Sequence, residues 1–390
     1  MKIKVLVIKK KEMPFFIVYG CYLFIAFIYT SMYSKYIVSV YRYALIALGV
    51  LLLVCEIYKN RLSLPSLIGA FVMGTVALFV SGHVDGTIYI VCLLVFVWCG
   101  RNISFDKIAR FTILFSSVVI SLIVLSSLLG IVENHSQVID GRNRFYLGFR
   151  YALYLPAYLF NISTLYIYIK RKNIRWRHLI GLFVLNYIVY IQSKSRLSFI
   201  LTAALILLTS LIRGFNSFFK RQKFLFRILR FSFIICFAIC VILAVYYDRS
   251  ISWMFQLNEL LVHRISLAQR GIMQYGVSFW GKSIEWIGMG MNSYGEIITA
   301  GYNYVDCLYI KMLVQYGIIF TVLYLAINTL AMFRYYTWKK YFLIMILSFI
   351  SWRVIIDDLA LMLHYNTWWF AVGIIFRDTY KKNLEIEADI

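Results

Sequence analysis

Three arginines crowd the stretch DGRNRFYLGFR, at Arg142, Arg144 and Arg150, just ahead of a long apolar run. Two further basic groups have the same setting: Lys194 and Arg196 in QSKSRLSF, and Arg264 and Arg270 in NELLVHRISLAQRGIMQY. A guanidinium presents a planar fork of donors and stays charged, so arginines gathered at the ends of apolar runs suit a multiply charged oxyanion such as a phosphate ester. His263, Asp306, Asp357 and His364, with His135 and Asp358, have the chemistry of a general base, provided a desolvated cleft tunes them. Their types alone do not rank them. There is no Walker loop, HExxH or GxSxG, and no paired acidic motif that implies a metal.

Each of these residues also has a plainer role. Arg150 falls on one helical stripe with Tyr154, Tyr158 and Asn161 if the helix begins ahead of it. A cation inside an apolar span costs about 2.5–3.5 kcal/mol at the centre and less near an end, so Arg150 either snorkels outward or meets an anion in a cavity. Arg144 lies nearer the span than Arg142, which reads as loop. The stretch SWMFQLNELLVHRISLAQRGIMQY has the periodicity of one amphipathic helix lying on the membrane or capping the bundle. Arg264 falls on its apolar face, where pairing with Asp306 or Asp357 competes with a substrate-facing role. Lys194 and Arg196 stand at a helix start, which the helix dipole disfavours unless an anion sits between them. Asp306 opens a span, where capping is the simple role. GMGMNSYGE reads as a flexible turn.

The elements that position these residues follow from composition. Of 390 residues, 62% are hydrophobic and 15% charged, against about 25% charged in a soluble domain. The expectation is an all-α polytopic membrane bundle of about twelve helices forming one domain over residues 1–390. Spans are expected at 13–31, 36–55, 63–81, 87–100, 110–131, 147–169, 178–192, 196–212, 230–247, 306–333, 340–355 and 362–376, the last short for a crossing. Residues 248–305 then form one long loop between the ninth and tenth. With a cytoplasmic N-terminus, the inner segments, including KNR, KRKNIRWR, KRQKFLFRILR and FRDTYKK, hold about 27 of the 40 Lys and Arg but about 7 of the 17 acids. That bias puts both termini in the cytoplasm and the loop outside. The net charge of +23 is thus topological, and no aromatic-interleaved basic patch suits nucleic acid. The basic start followed by an apolar run is a retained first helix, and the 7 cysteines sit as small hydrophobes in apolar runs.

Four stretches together resemble the Wzy-type polysaccharide polymerases of bacterial capsule, exopolysaccharide and O-antigen assembly. They are RFYLGFRYALYLPAYLF, QSKSRLSFI, NELLVHRISLAQRGIMQYGVSFWGKSIEWIGMGMNSYG and VDCLYIKMLVQYGII, in the family's order over the central half of the chain. The chain departs from the family's pattern at Arg150–Tyr151 and at Cys307. The resemblance implies an inverting, metal- and cofactor-independent glycosyltransferase in the bacterial plasma membrane, with its site on the outer side. It would transfer a growing glycan from undecaprenyl pyrophosphate to a second lipid-linked repeat unit. A flippase and a chain-length regulator would be pathway partners. On that expectation Arg144, Arg150, Arg196, Arg264 and Arg270 hold pyrophosphate, Tyr154, Tyr158 and Asn161 face the glycan, and the base comes from His263, Asp306, Asp357 or His364. A flippase or other transporter for the same lipid, or a glycan ligase of related architecture, is the alternative. The 3 prolines, the absence of a visible repeat and the asymmetric long loop favour the enzyme over a transporter.

Overall fold

The structure is a computed structural model that describes residues 8–59, 64–139, 141–214, 223–299 and 301–377. The first seven residues, Asp140, Ala300 and parts of three basic segments (60–63, 215–222 and 378–390) lie outside the described residues.

The chain is a helical membrane protein. Its elements are α1 (Met13–Thr30), α2 (Val38–Lys59), α3 (Leu64–His83), α4 (Ile88–Gly100), α5 (Phe105–Leu128), β1 (Ser136–Ile139), β2 (Arg142–Phe145), α6 (Tyr154–Lys170), α7 (Trp176–Ser193) and α8 (Arg196–Gly214). There follow α9 (Lys223–Leu229), α10 (Ser232–Val245), α11 (Ser252–Leu260), α12 (Arg264–Tyr275), α13 (Leu308–Thr337, with a π turn at Met312–Tyr316), α14 (Tyr341–Ile356) and α15 (Trp369–Val372). Among the described residues six helices are long and apolar enough to cross a membrane: Met13–Thr30, Val38–Tyr58, Ser66–His83, Phe105–Leu128, Arg196–Gly214 and Leu308–Thr337. Large apolar side chains such as Phe71, Leu78, Leu114 and Leu207 stand exposed around the bundle, as a hydrocarbon solvent allows and water does not. Inside, hydroxyls fold back onto their own helix, as Thr112 Oγ1 does to the Ile108 carbonyl at 2.9 Å. Helix α1 is central and packs on α2, α4 and α5; α5 leads to a second group of α6, α7, α8, α10, α13 and α14.

Four features depart from the sequence expectation. The segment expected to cross at 362–376 is a loop followed by α15 and a 3-10 turn at Gly373–Phe376. It is buried, with Asn161 Nδ2 donating to Thr367 Oγ1 at 2.9 Å and Trp368 Nε1 to Thr164 Oγ1 at 2.9 Å. It still reaches the far end of α4, where Arg377 Nε donates to the Arg101 carbonyl at 3.2 Å. Irregular backbone at this depth is tolerable because protein surrounds it. Second, the helix expected from residue 147 begins at Tyr154, since Leu147 (φ 52°) and Gly148 (φ 83°) turn the chain first. Arg150 therefore precedes α6 and shares no continuous helical stripe with Tyr154, Tyr158 and Asn161. Third, the amphipathic helix is two helices, α11 and α12, joined by an elbow in which Val262 (φ 55°) and His263 (φ 60°) are both left-handed. A β-branched residue there is rare and costs about 1–3 kcal/mol. Fourth, β1 and β2 form a hairpin, with Arg144 opposite Gln137, where no strand was expected.

Candidate functional site: a cation-lined cavity

The hairpin, the α7–α8 turn, the elbow, the run before α13 and the turn after α14 enclose a cavity of about 590 Å³ at one end of the bundle. Local geometry dictates which side chains reach it. Lys194 ends α7 in a left-handed conformation (φ 53°), its N–H bonded to the Tyr190 carbonyl at 2.8 Å. With Ser195 buried behind it, α8 must start at Arg196, so both cations face the same rim. Residues 301–306 run outside any helix or strand into α13 and carry Tyr302, Tyr304 and Asp306. All three line the cavity.

The elbow turns Arg264 inward at the first position of α12. Its Nε donates to the Ile356 carbonyl at 3.0 Å and one terminal nitrogen to the Leu261 carbonyl at 3.2 Å. Two of its five N–H groups are thus fixed, and the guanidinium is oriented without being consumed. Asp306 lies beside it, with Oδ2 3.9 Å from Arg264 Nε. That is long for an ion pair, and the other bond to this oxygen comes from the Tyr302 hydroxyl at 3.1 Å. Burial pushes the Asp306 carboxyl above its usual range; Arg264 opposes this and the charge of Asp358 adds to it. Asp306 does not cap α13, whose N-cap is Cys307 without a side-chain bond.

The other two acids are committed to partners. Asp357 accepts from Arg353 Nε (3.1 Å) and a terminal nitrogen (3.0 Å) on Oδ2, and from the Leu359 N–H (2.9 Å) on Oδ1. Asp358 accepts from Lys311 Nζ at 2.7 Å and from the Tyr304 hydroxyl at 2.5 Å, while Lys311 sits 3.8 Å over the Tyr304 ring.

Of the residues singled out from sequence, Arg144, Arg196, Arg264, Arg270, His263, Asp306, Asp357 and Tyr154 line this one cavity. His263 stands at its edge, 58% exposed, with Nδ1 3.2 Å from Glu259. Arg150 is elsewhere. It borders a second cavity of about 600 Å³, with Nε donating to the Tyr29 carbonyl (3.0 Å) and a terminal nitrogen to the Met291 carbonyl (3.3 Å). The Met291 N–H returns a 2.9 Å bond to the Arg150 carbonyl. GMGMNSYGE is therefore a docked turn. Gly290 (φ 103°) lies so close that a Cβ there would come 2.8 Å from that carbonyl. His364 also borders the second cavity, with Nδ1 3.0 Å from the Tyr22 hydroxyl. Tyr158 and Asn161 border neither cavity. Tyr158 stacks on Tyr365 at 4.2 Å and bonds Thr30 at 2.7 Å, and Asn161 holds Thr367. Tyr154 and Leu359 are common to both cavities.

Sequence reasoning left out Arg142, which the hairpin returns to the cavity wall, and Tyr302 and Tyr304. The alternation in YNYVD was the available signal for the tyrosines. Comparison with protein-family models, curated proteins and solved structures gives no match.

Proposed function

We propose that this chain is a Wzy-type glycan polymerase, an inverting, metal-independent glycosyltransferase that joins lipid-pyrophosphate-linked oligosaccharide units. The observation that carries the reading is the convergence of six cations (Arg142, Arg144, Lys194, Arg196, Arg264 and Arg270) on a cavity that also holds Asp306. A pyrophosphate leaving group develops charge as the glycosidic C–O bond breaks, and fixed guanidinium groups offset it without reorganising. The acceptor hydroxyl oxygen forms the new bond to the anomeric carbon from the opposite face and gives its proton to an Asp306 oxygen. Asp306 is suited to this because it is the cavity acid least committed to a partner and its proton affinity is elevated.

The topology belongs to the same proposal: about twelve passes, both termini cytoplasmic, and the cavity facing outward from a bacterial plasma membrane. The buried segment from Asp357 to Arg377, which runs from the cavity end to the far end of α4, supports an even number of passes. A flippase would supply the substrate on that face and a chain-length regulator would act on the product. The test is to delete the gene and complement it with Arg264→Ala or Asp306→Asn, then run lipid-linked glycans on a gel. Single repeat units on the outer face with long chains absent are expected. Units retained on the cytoplasmic face would instead make the protein a flippase.

A further inference from the structure

Beside the second cavity, a groove of about 290 Å³ runs between α3 and the first turns of α13. Phe71, Val76 and Phe79 form one wall, Ile319 and Leu323 the other, and Trp280 crosses one end. Two hydroxyls border it, and both are engaged elsewhere. Thr75 Oγ1 donates to the Phe71 carbonyl at 2.8 Å, and the Tyr316 hydroxyl is hydrogen-bonded to that of Tyr89. Tyr89 lines the second cavity. The Tyr89–Tyr316 pair is thus a shared wall, with a hydrocarbon-like groove on one side and a polar chamber on the other.

The groove's end is built into the backbone. The Ile318 N–H donates to the Ser278 carbonyl at 3.0 Å, and the Lys282 N–H to the Gln315 carbonyl at 2.9 Å. Gly281 and Gly317 meet so closely that a Cβ on Gly317 would lie 2.5 Å from the Gly281 nitrogen. These contacts pair backbone groups that the break in α13 at Gly317 leaves without partners in the helix, and they hold Trp280 stacked on Phe79 at 4.9 Å. The chamber behind the tyrosine pair has the surface a sugar prefers: the rings of Tyr29, Tyr41 and Tyr154 beside the polar groups of Arg42 and Asp85. His364 borders it too, buried, with an Nε2 that has no hydrogen-bond partner among the described residues.

An apolar groove on a membrane-crossing pair of helices, abutting a polar chamber, fits an amphiphile whose tail joins its head at that point. We propose that the groove seats the head-proximal part of the acceptor's polyprenyl chain, whose attached glycan enters the second cavity while the donor's pyrophosphate lies among the six cations. Tyr154 and Leu359, common to both cavities, then bring that glycan to the cation-lined site. This assignment rests on the glycosyltransferase reading, which supplies a polyprenyl-linked glycan as the amphiphile. A phospholipid lacks the sugars for which the chamber is furnished.

The test is photolabelling of the whole protein in nanodiscs with a diazirine-bearing undecaprenyl phosphate, followed by peptide mapping. Adducts are expected on residues 71–80 and 316–323, competed by unlabelled undecaprenyl phosphate and not by phosphatidylglycerol. Val76→Trp or Leu323→Trp, which fill the groove, should cut labelling there about tenfold, the effect of losing one well-buried contact. Leu78→Trp, on the exposed face of the same helix, should leave it unchanged. Labelling spread over all exposed helices, or competed equally by phosphatidylglycerol, overturns the proposal. Inorganic pyrophosphate binding to the same preparations tests the cation cavity separately. If Arg264→Ala leaves that binding intact, the enzyme reading fails whatever the label shows.

Discussion

Replacing Arg264 tests both halves of the proposed chemistry, because it faces the leaving group and neighbours the base. Three of its N–H groups are not committed to the Ile356 and Leu261 carbonyls. Two charge-assisted bonds to a pyrophosphate, at about 1.5–3 kcal/mol each, amount to roughly 3–6 kcal/mol of transition-state stabilisation. Arg264→Ala should therefore lower kcat/KM by about 10²–10⁴-fold. Arg264→Lys keeps the charge and loses the fork, so it should fall between.

The same change acts on Asp306. Unit charges 3.9 Å apart attract by about 4 kcal/mol at an effective dielectric of 20. The two side chains are 13% and 21% exposed to the cavity, so screening reduces this to about 1–2 kcal/mol. Arg264 is the larger of the two restraints on the upward shift of the Asp306 carboxyl, the Tyr302 hydroxyl being the other. Without it the base stays protonated to higher pH, and the acid limb of the pH–rate profile must move in the alkaline direction. In Arg264→Lys it should move less. The assay is release of undecaprenyl pyrophosphate from a lipid-linked repeat unit by protein in nanodiscs, followed against pH. An alanine variant with near-normal turnover, or with its acid limb unmoved or displaced to lower pH, refutes the reasoning.

Asp306→Asn should abolish turnover without destabilising the fold at neutral pH. Burial raises the carboxyl's pKa in the folded state, so that group's stabilising contribution is complete below the unfolded pKa and is lost as pH rises through the folded one. Thermal unfolding should thus show the variant at least as stable as the parent near pH 8, with any advantage gone below about pH 4. Lys311→Met leaves Asp358 buried without its cation, at a cost of about 3–5 kcal/mol by denaturation in detergent; adding Asp358→Leu should recover much of that loss. Gly290→Ala forces a Cβ against the Arg150 carbonyl at a left-handed φ, and should destabilise by about 1–3 kcal/mol and loosen the 288–296 turn to proteolysis. His263→Asn tolerates the left-handed elbow and should keep activity within about threefold, whereas His263→Val should lower the melting temperature.

The helices were legible because hydrophobic length and the 3.6-residue period are local properties. The start of α8 at Arg196 and the ends of α1, α4 and α14 fall within two residues of the sequence reading. What was illegible depended on backbone departures that composition does not encode. The elbow at Val262–His263 has no glycine to announce it, so a single helix was the natural expectation. Arg264, out of place on the apolar face of that helix, was the trace of the elbow in the sequence. Arg142 looked like loop because a four-residue strand carries too little pattern to detect. Arg150 looked like a ligand because the αL turn at Leu147–Gly148, which delays α6, is silent in the hydropathy.

These departures share a consequence for the electrostatics of the cavity. Six cations on one rim would repel one another and the fold would have to carry that strain. Asp357 does not relieve it, since Arg353 takes both of its Oδ2 bonds from within α14. Nor does Asp358, since Lys311 and Tyr304 hold it from the opposite wall. That leaves Asp306 as the acid near the guanidinium groups, and even it stands 3.9 Å from Arg264. A cavity built for its own stability would have closed that gap, because a contact pair is worth more than a distant one. The elbow instead accepts about 1–3 kcal/mol of backbone strain to hold Arg264 on two carbonyls, short of its nearest carboxylate. Arg264, held short of its nearest carboxylate, keeps N–H groups for the anion that the proposed chemistry brings to it.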